Sequence, residues 1–505
     1  MKKKKFWKIL TIWINGKEGD YIMNMLIIGN GFDLAHKLPT SYKDFLQFVE
    51  EANNYRYNFS FKYPNITEKD KKDKKYFDFF IDVNKQDSEK GTNNFKFIDK
   101  IHELSKDNLW FKYFSETLKN NKLYLKENWI DFESEISKVI QFLDELNTKK
   151  NSFISKNNDK FFLEEPFFLI DNNEMAILAK TFNTFFNDYE TYFENLAEDE
   201  IEDYKDKDEG EYKFFLRNFE LLKKTILSDL NKLIRCLEIY LSFYINSLDT
   251  GVRIAEIIDL AKNNLDYILS FNYTNTFERF YDSIRNNKDD KDLSYDYIHG
   301  KASLKNDVDT CPLVLGIDEY LDDTEKNINI EFIQYKKYFQ RIYKKTGCEY
   351  ISLLEDLKEL NDFANKKEQE KNNTLIEPTT KKEVIPLNIY IFGHSLDITD
   401  KDVLYKLIMH GNTKTTIYYH DDDSYKKQIA NLVRVLSQDV LIDSVYGMNP
   451  RIKFEKQIEV KESEEKNIVQ SEIKEVSTIA AHNDHLKDPD EKEKILDDFN
   501  DIDEW

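Results

Sequence analysis

The chain has 505 residues, is rich in Phe and Tyr (37 and 30) and is poor in Gly and Pro (13 and 8). This predicts a large core, more than one structural unit and an ordered, heavily helical chain. Its formal charge of −22 argues against broad affinity for nucleic acid, which needs a basic surface, and leaves room only for a local basic groove. The three cysteines, Cys236, Cys311 and Cys348, form no close pair. They point away from a disulfide framework or a zinc site, suit a reducing cytoplasm and read as small buried hydrophobes.

Lys2 to Lys5 precede an apolar run from Phe6 to Ile14 that is too short to span a bilayer and lacks a small-residue cleavage site. Residues 1–24 therefore read as an N-terminal extension, with weak contact to a membrane surface as the alternative and no stable insertion. The first strand follows as Leu26-Ile27-Ile28 and stops in a glycine turn, Gly29-Asn30-Gly31-Phe32-Asp33. Two glycines at a strand's C-terminal end imply a sharp bend that brings backbone close to a ligand. Ser41 to Glu50 reads as a helix, with Thr40 or Ser41 as its cap, Asp44 in its first turn and Phe45, Phe48 and Val49 on its apolar face. Strand, turn and helix together form a cradle for a phosphate or nucleotide, although the third glycine of the dinucleotide fingerprint is missing.

More than two hundred residues of helical character come next. Ile136, Val139, Phe142, Leu143 and Leu146 share one helix face. A longer stripe, Phe215, Phe219, Leu222, Ile226, Leu230, Leu233, Leu237, Leu241 and Tyr244, predicts a helix from Tyr212 to Asn246. These stripes are packing surfaces, available for self-association unless consumed internally. The charged pieces Glu68 to Lys75 and Glu198 to Glu211 read as solvated connections. Further strands are predicted at Tyr267–Asn272, Tyr295–His299, Pro312–Gly316, Asn388–Gly393 and Thr415–Tyr419, most of them ending at Gly, Asn or His. Such endings place polar loops along one edge of a parallel sheet. A helix is expected over Ile351 to Phe363, a polar linker over Ala364 to Lys382, and a mobile charged tail over Glu462 to Trp505 with a short helix near Ile495.

The expected fold is thus α/β: a Rossmann-like, mostly parallel sheet with a large α-helical insertion and a charged C-terminal tail. Residues 25–60 and 262–455 form the nucleotide-binding core, 61–261 the helical insertion and 460–505 the tail.

Four short elements carry the chemistry: Gly29 to Asp33; Ser270-Phe271-Asn272-Tyr273-Thr274-Asn275-Thr276-Phe277-Glu278; Ile298-His299-Gly300; and Phe392-Gly393-His394-Ser395-Leu396-Asp397. With Ile27 to Leu46 and Trp129-Ile130-Asp131-Phe132-Glu133, they closely resemble the AbiH family of bacterial phage-abortive-infection proteins, in islands between Leu26 and Tyr419. Lys37 stands where the family pattern tends to have glycine. More loosely, the order of the elements is similar to that of a sirtuin-type NAD-binding domain. Here Thr274 stands where many defence-associated relatives carry Asp, and Gly29-Asn30-Gly31 replaces the more usual Gly-Ala-Gly.

That second resemblance implies that Asn272 orients water or ribose and that His299 is the general base. Gly29, Asn30, Gly31, Phe32, Asp33, Gly393, His394 and Ser395 would border the nucleotide. It also implies NAD as substrate or ligand. Cleaving a nicotinamide ribosyl bond builds oxocarbenium-like charge and needs a held sugar, a positioned nucleophile and one group to manage a proton, with no metal. Each residue has a structural alternative. His299 could simply end a strand, Asn272 could cap the helix at Thr276 to Arg285, and Asp33 could be a turn residue. Asp397 and Asp400 read as caps of the helix at Lys401 to Met409. His394 could be a surface residue, and His36 ranks below His299.

Two functions of different class fit these residues. One is a cytoplasmic effector that hydrolyses NAD on infection in response to a phage-derived trigger. The other is a nucleotide-binding sensor or scaffold without catalysis. A nuclease fits less well, because no carboxylates pair as metal ligands among the motifs.

Overall fold

A computed structural model describes residues 22–59, 74–91, 93–120, 131–155, 207–262, 265–285, 293–319, 330–372 and 386–458. The apolar run from Phe6 to Ile14, Trp129 and the tail from Glu462 lie outside the described residues, as do most of the two charged connections.

The elements run in this order. Strand β1 (Met23–Ile28) is followed by α1 (Asn30–Ala35), α2 (Tyr42–Phe59), α3 (Phe77–Lys90), α4 (Phe95–Ser105), α5 (Leu109–Asn120), α6 (Phe132–Ser155), α7 (Lys207–Ile239) and α8 (Ala255–Lys262). Next come β2 (Tyr267–Ser270), α9 (Thr276–Tyr281), β3 (Ser294–Tyr297), α10 (Lys337–Lys344) and α11 (Glu349–Asn372). The chain then forms β4 (Leu387–Phe392), α12 (Lys401–Ile408), β5 (Thr413–Tyr419), α13 (Asp422–Leu436), α14 (Gln438–Tyr446) and β6 (Ile452–Lys456).

All six strands are parallel, in the order β3-β2-β1-β4-β5-β6. The register is level at the carboxyl ends: Ile28 lies opposite both Ser270 and Phe392, and Ser270 opposite Tyr297. Sequence order runs outward in both directions from the β1–β4 seam, which makes that seam a topological switch point, where open α/β sheets leave a crevice for ligands. The four segments Leu26–Ile28, Ile268–Phe271, Asp296–Ile298 and Ile389–Phe392 meet in this one sheet, their last residues lying at or just beyond the strand ends.

β1 is apolar from Met25 to Ile28 because both of its faces are covered there, with half-buried Asn24 as its one polar residue. Leu26 and Ile28 join Ile268, Phe392 and the helical layer in one core, and Met25 and Ile27 join Leu269, Ile389, Ile391 and residues of α11 to α13 in another. The helical layer forms where its apolar faces predict it. Ser41 caps α2 with its hydroxyl, which accepts from the Asp44 amide at 3.1 Å and donates to the Asp44 carboxylate at 2.6 Å. Phe45, Phe48 and Val49 are buried beneath it. Along α7, Phe219, Leu222, Ile226, Leu230, Leu233 and Leu237 are buried in the same core.

Four expectations need correction. The Tyr212 to Asn246 helix is α-helical only to Ile239 and continues as a π turn over Tyr240–Tyr244 and a 3₁₀ turn over Ile245–Ser247. Here the Ser242 hydroxyl bonds back to the Glu238 carbonyl and competes with the regular ladder. Pro312–Gly316 is not a strand. It is an extended segment held by Val314 N donating to His299 O (2.8 Å) and by Gln340, whose side chain bonds Leu315 N and O at 3.0 and 3.1 Å. The expected linker from Ala364 is helical to Asn372, because its Lys, Glu and Gln residues extend α11. β6 is an additional edge strand, and its charged residues hide it from a hydropathy pattern.

Candidate active site at the carboxyl edge of the sheet

The glycine turn after β1 and the Gly393 turn after β4 interlock. Gly31 N donates to Gly393 O (2.8 Å), Gly29 N to Phe392 O (3.2 Å) and Phe32 N to Gly29 O (2.8 Å). A Cβ on Gly31 would lie 2.8 Å from Gly393 Cα. Gly393, at φ +67°, could carry one only 2.1 Å from Phe32 N. Backbone-to-backbone packing therefore requires these glycines, and the Gly31 and Phe32 amides are engaged within the protein. The helix directly after the turn is the short α1, with Ser41 opening a second helix, so the expected single strand–turn–helix unit is divided in two.

Phe32 itself is fully buried, edge-on to Phe392 at 5.9 Å. Exposed Asn30 accepts from Thr40 Oγ1 at 2.8 Å. The Ser395 carbonyl accepts from Asn431 Nδ2 at 2.9 Å. His36 is a core histidine. Its Nδ1 lies 2.6 Å from Phe32 O and so carries the proton, which leaves Nε2 to accept from the Tyr281 hydroxyl, also at 2.6 Å. Burial pushes its pKa down to about 4. Lys37, where the family pattern tends to have glycine, takes φ +58°, a backbone conformation that explains that preference.

A different picture holds one strand over. Asp33, buried in α1, accepts from Thr274 Oγ1 through Oδ2 at 2.7 Å, while its Oδ1 is buried with no hydrogen-bond partner among the described residues. Thr274 is thus a donor to Asp33. Burial raises the Asp33 pKa to about 6, against the opposing influence of Thr274, Thr276 and Asn272. Asn272, just beyond β2, is also buried, and neither its amide nitrogen nor its amide oxygen has a partner among the described residues. It caps nothing: Asn275 occupies the N-cap of α9.

His299, two residues beyond β3, is buried as well. Its Nε2 lies 3.4 Å from Asp400 Oδ1 but out of hydrogen-bond alignment. Burial lowers its pKa and Asp400 opposes that shift. His394 Nδ1 accepts from Leu396 N at 2.9 Å, so the neutral ring carries its proton on Nε2, which faces Asp400 Oδ2 at 3.5 Å. The Phe271 ring touches both imidazoles, with centroid distances of 5.5 Å to His299 and 4.3 Å to His394. His394 is therefore a buried neighbour of His299 and not a surface residue.

Asp400 was expected to cap α12. It occupies the N-cap position but makes no side-chain cap bond, because its carboxylate turns toward the two histidines and Lys337. Asp397 does not cap α12 either; it caps the 3₁₀ turn Ile398–Asp400 that precedes it, accepting from Thr399 N at 3.1 Å. Lys337 Nζ from α10 lies 3.2 Å from Asp400 Oδ1 and 2.8 Å from Glu133 Oε2. Glu133 stands in the first turn of α6, capped by Asp131, whose Oδ1 accepts from Glu133 N and Ser134 N at 3.0 and 3.2 Å. Burial raises the Glu133 pKa to about 7 although Lys337 opposes it. Burial would also lower the Lys337 pKa, but Asp400 and Glu133 outweigh it and hold the ammonium charged. Lys337 attracts Asp400 strongly enough to keep its carboxyl well below the usual range despite burial.

Sequence reasoning missed Lys337, Asp400 and Glu133 as functional residues. Glu133 stood at the end of an island shared with relatives, and Lys337 carried no signal among so many lysines. Among the described residues no group of three or more His, Cys, Asp or Glu is arranged to hold a metal; at Asp400 the neighbouring cation is the Lys337 ammonium.

The glycine turn, the strand-terminal Asn and His and the first turn of α6 all fall within a match to the family model "Bacteriophage abortive infection AbiH", which spans residues 25–421. The chain belongs to the AbiH family. No curated protein and no solved structure matches it. The match takes in the sheet as far as β5 and the helical layer, so Glu133 and Lys337 lie inside the AbiH unit along with Asn272 and His299. No helix among the described residues of this AbiH protein is long and apolar enough to cross a membrane.

Proposed function

We propose that this member of a phage abortive-infection family binds a nicotinamide nucleotide at the carboxyl edge of β1, β2 and β3 and hydrolyses its ribosyl bond, depleting NAD on infection. One observation carries the reading. Asp33 Oδ1, both amide atoms of Asn272 and His299 Nε2 are buried polar atoms with no aligned hydrogen bond among the described residues, on the segments that follow β1, β2 and β3. Orphaned polar groups of this kind are destabilising unless something completes them.

A ribose supplies the complement. Its hydroxyls both donate and accept, as the Asn272 amide does, and the Asp33 carboxylate accepts. In the proposed reaction the C1′–N bond breaks with its electron pair leaving on nicotinamide. Water adds to C1′, and the water's proton passes to a base. Neutral His299 suits that task, and Asp33, titrating near 6, is the second group able to move a proton near neutrality. The pyrophosphate would be held by groups other than the Gly31 and Phe32 amides, which are already engaged.

Incubating the purified full chain with NAD, with and without lysate from phage-infected cells, and following nicotinamide release tests the reading. Release that His299→Ala abolishes is expected. Saturable NAD binding without release in either condition would assign the sensor role instead, and neither binding nor release would overturn the nucleotide reading.

A further inference from the structure

The helical layer reaches into the sheet edge through a run of charge contacts: Glu133 on α6, Lys337 on α10, Asp400 before α12, and then His299 and His394. The steps are 2.8 Å from Glu133 to Lys337, 3.2 Å from Lys337 to Asp400, and 3.4 and 3.5 Å from Asp400 to the two imidazoles. The Asp400 carboxylate lies against both imidazoles, and its charge favours the protonated form of His299. Lys337 in turn is divided between two carboxylates, one from each structural layer. Its Nζ also lies 3.1 Å from Thr399 Oγ1, which pins it at the start of α12.

We infer that Glu133 and Lys337 are positioning residues for His299, acting through Asp400, so that the helical layer sets the protonation and orientation of the imidazole at the sheet edge. The inference deepens the ribosyl-cleavage reading, which assigns His299 its proton task, but the contacts stand without any nucleotide. A purely structural salt bridge would account for Lys337 with one carboxylate. It does not account for a second carboxylate whose far side faces two histidines. Burial pushes the Glu133 carboxyl up to about 7, which puts its charge change in the working range of an imidazole. The other charged or titratable groups facing this run are Asp131 and Tyr42 beside Glu133; Tyr273 beside Glu133, Lys337 and Asp400, its ring 6.2 Å from that of His299; Arg341 toward His299; and Asp318 toward Lys337.

The signs follow from charge. Lys337→Met removes a cation near His299, so the imidazole should gain a proton more readily. Glu133→Gln removes an anion and leaves the ammonium to Asp400 and His299, so the imidazole should lose its proton more readily. Lys337→Arg, which keeps the charge, should restore most of the native value.

The experiment is an imidazole NMR titration of the full chain, without nucleotide, comparing wild type, Glu133→Gln, Lys337→Met and Lys337→Arg, with His299→Gln assigning the resonance. A shift of about one pH unit upward in Lys337→Met is expected for an interaction over such distances, with movement in the opposite direction in Glu133→Gln. Glu133→Gln is nearly isosteric and keeps an acceptor, so it reports even where Lys337→Met fails to fold. A His299 midpoint and ring resonance unchanged in folded Glu133→Gln and Lys337→Met would overturn the inference, whether or not the protein cleaves NAD. Opposite shifts in a protein that releases no nicotinamide would uphold it while sinking the ribosyl-cleavage reading.

Discussion

The sheet edge at the β1–β4 switch point and the edge beside it at β2 and β3 solve opposite problems. On the β1–β4 side the interlocked glycine turns spend their amides on one another, and Phe32 fills the core. On the β2–β3 side Asn272, His299 and Asp33 are buried with polar atoms left over. The glycine motif, the strongest pattern in the chain, therefore does structural work of close backbone packing. The residues best placed for chemistry are singletons at the ends of short strands. A glycine-rich turn is evidence of close approach, and what approaches can be the protein's own backbone.

This contrast predicts that the two sides fail differently. Gly393→Val should be the most damaging change, because a Cβ there lies 2.1 Å from Phe32 N on a backbone at φ +67°. Stability should fall by more than about 4 kcal/mol, into the range reserved for gross steric or backbone conflict, and denaturant unfolding would read it. A loss below about 1 kcal/mol would mean that the turns separate easily and that the glycines are free to face a ligand.

On the other side, Asn272→Ala and His299→Ala should leave the fold nearly intact. Neither side chain makes a hydrogen bond that the fold would lose, and removing an unsatisfied polar group relieves a desolvation penalty. Nicotinamide release, if His299 manages the proton, should drop by about 10²- to 10⁴-fold, and protection against phage should be lost. A thermal midpoint lowered as far as in Gly393→Val would erase the distinction between the two sides.

How much of this could be read from the chain follows the same division. Strands with buried faces are written as apolar runs, so β1, β2, β4 and β5 were visible, and their Gly, Asn and His endings marked the ligand edge. Pro312–Gly316 has the same composition but bonds to Gln340 and His299 in place of a neighbouring strand. Hydropathy does not distinguish those two fates. Asp400 looked like a cap because an aspartate before a helix usually is one. Only the three-dimensional approach of Lys337 from α10 and of the two histidines reveals what its carboxylate faces. Long-range ion pairs leave no periodic trace, and Glu133 to Lys337 spans two hundred residues of chain.

Asp33 sharpens the comparison through pH. Its carboxyl is raised from the ordinary 3.8 to about 6 in the fold. Between those values the folded chain holds a proton that the unfolded chain has released, so stability falls as pH rises through this window and stays lower above it. Asp33→Asn, which keeps an acceptor for Thr274, should remove that slope. Relative to wild type it should gain on the order of 3 kcal/mol between pH 4 and pH 8. Urea unfolding at both pH values measures it. A wild-type stability that rises between pH 4 and pH 6 on account of Asp33 would show that its unpartnered oxygen is in fact well solvated.

Cys236 supplies the smallest effect and the control for the rest. It sits on α7, fully buried in the helical core, with its thiol 3.9 Å from the Ile101 carbonyl. Burial pushes the thiol's pKa up, so little reactive thiolate is available. Cys236→Ala should therefore lower stability by about 1 kcal/mol, the typical effect of a modest core truncation, and leave nicotinamide release and the His299 titration unchanged. Glu133 reaches the sheet edge from α6, whereas Cys236 lies on α7, whose Arg235 and Glu238 bond the loop beyond β3 at Ser303 and Leu304. A Cys236→Ala protein that loses activity without losing stability would mean that the packing of α7 is transmitted to the site. In that case the influence of the helical layer could not be assigned to Glu133 alone.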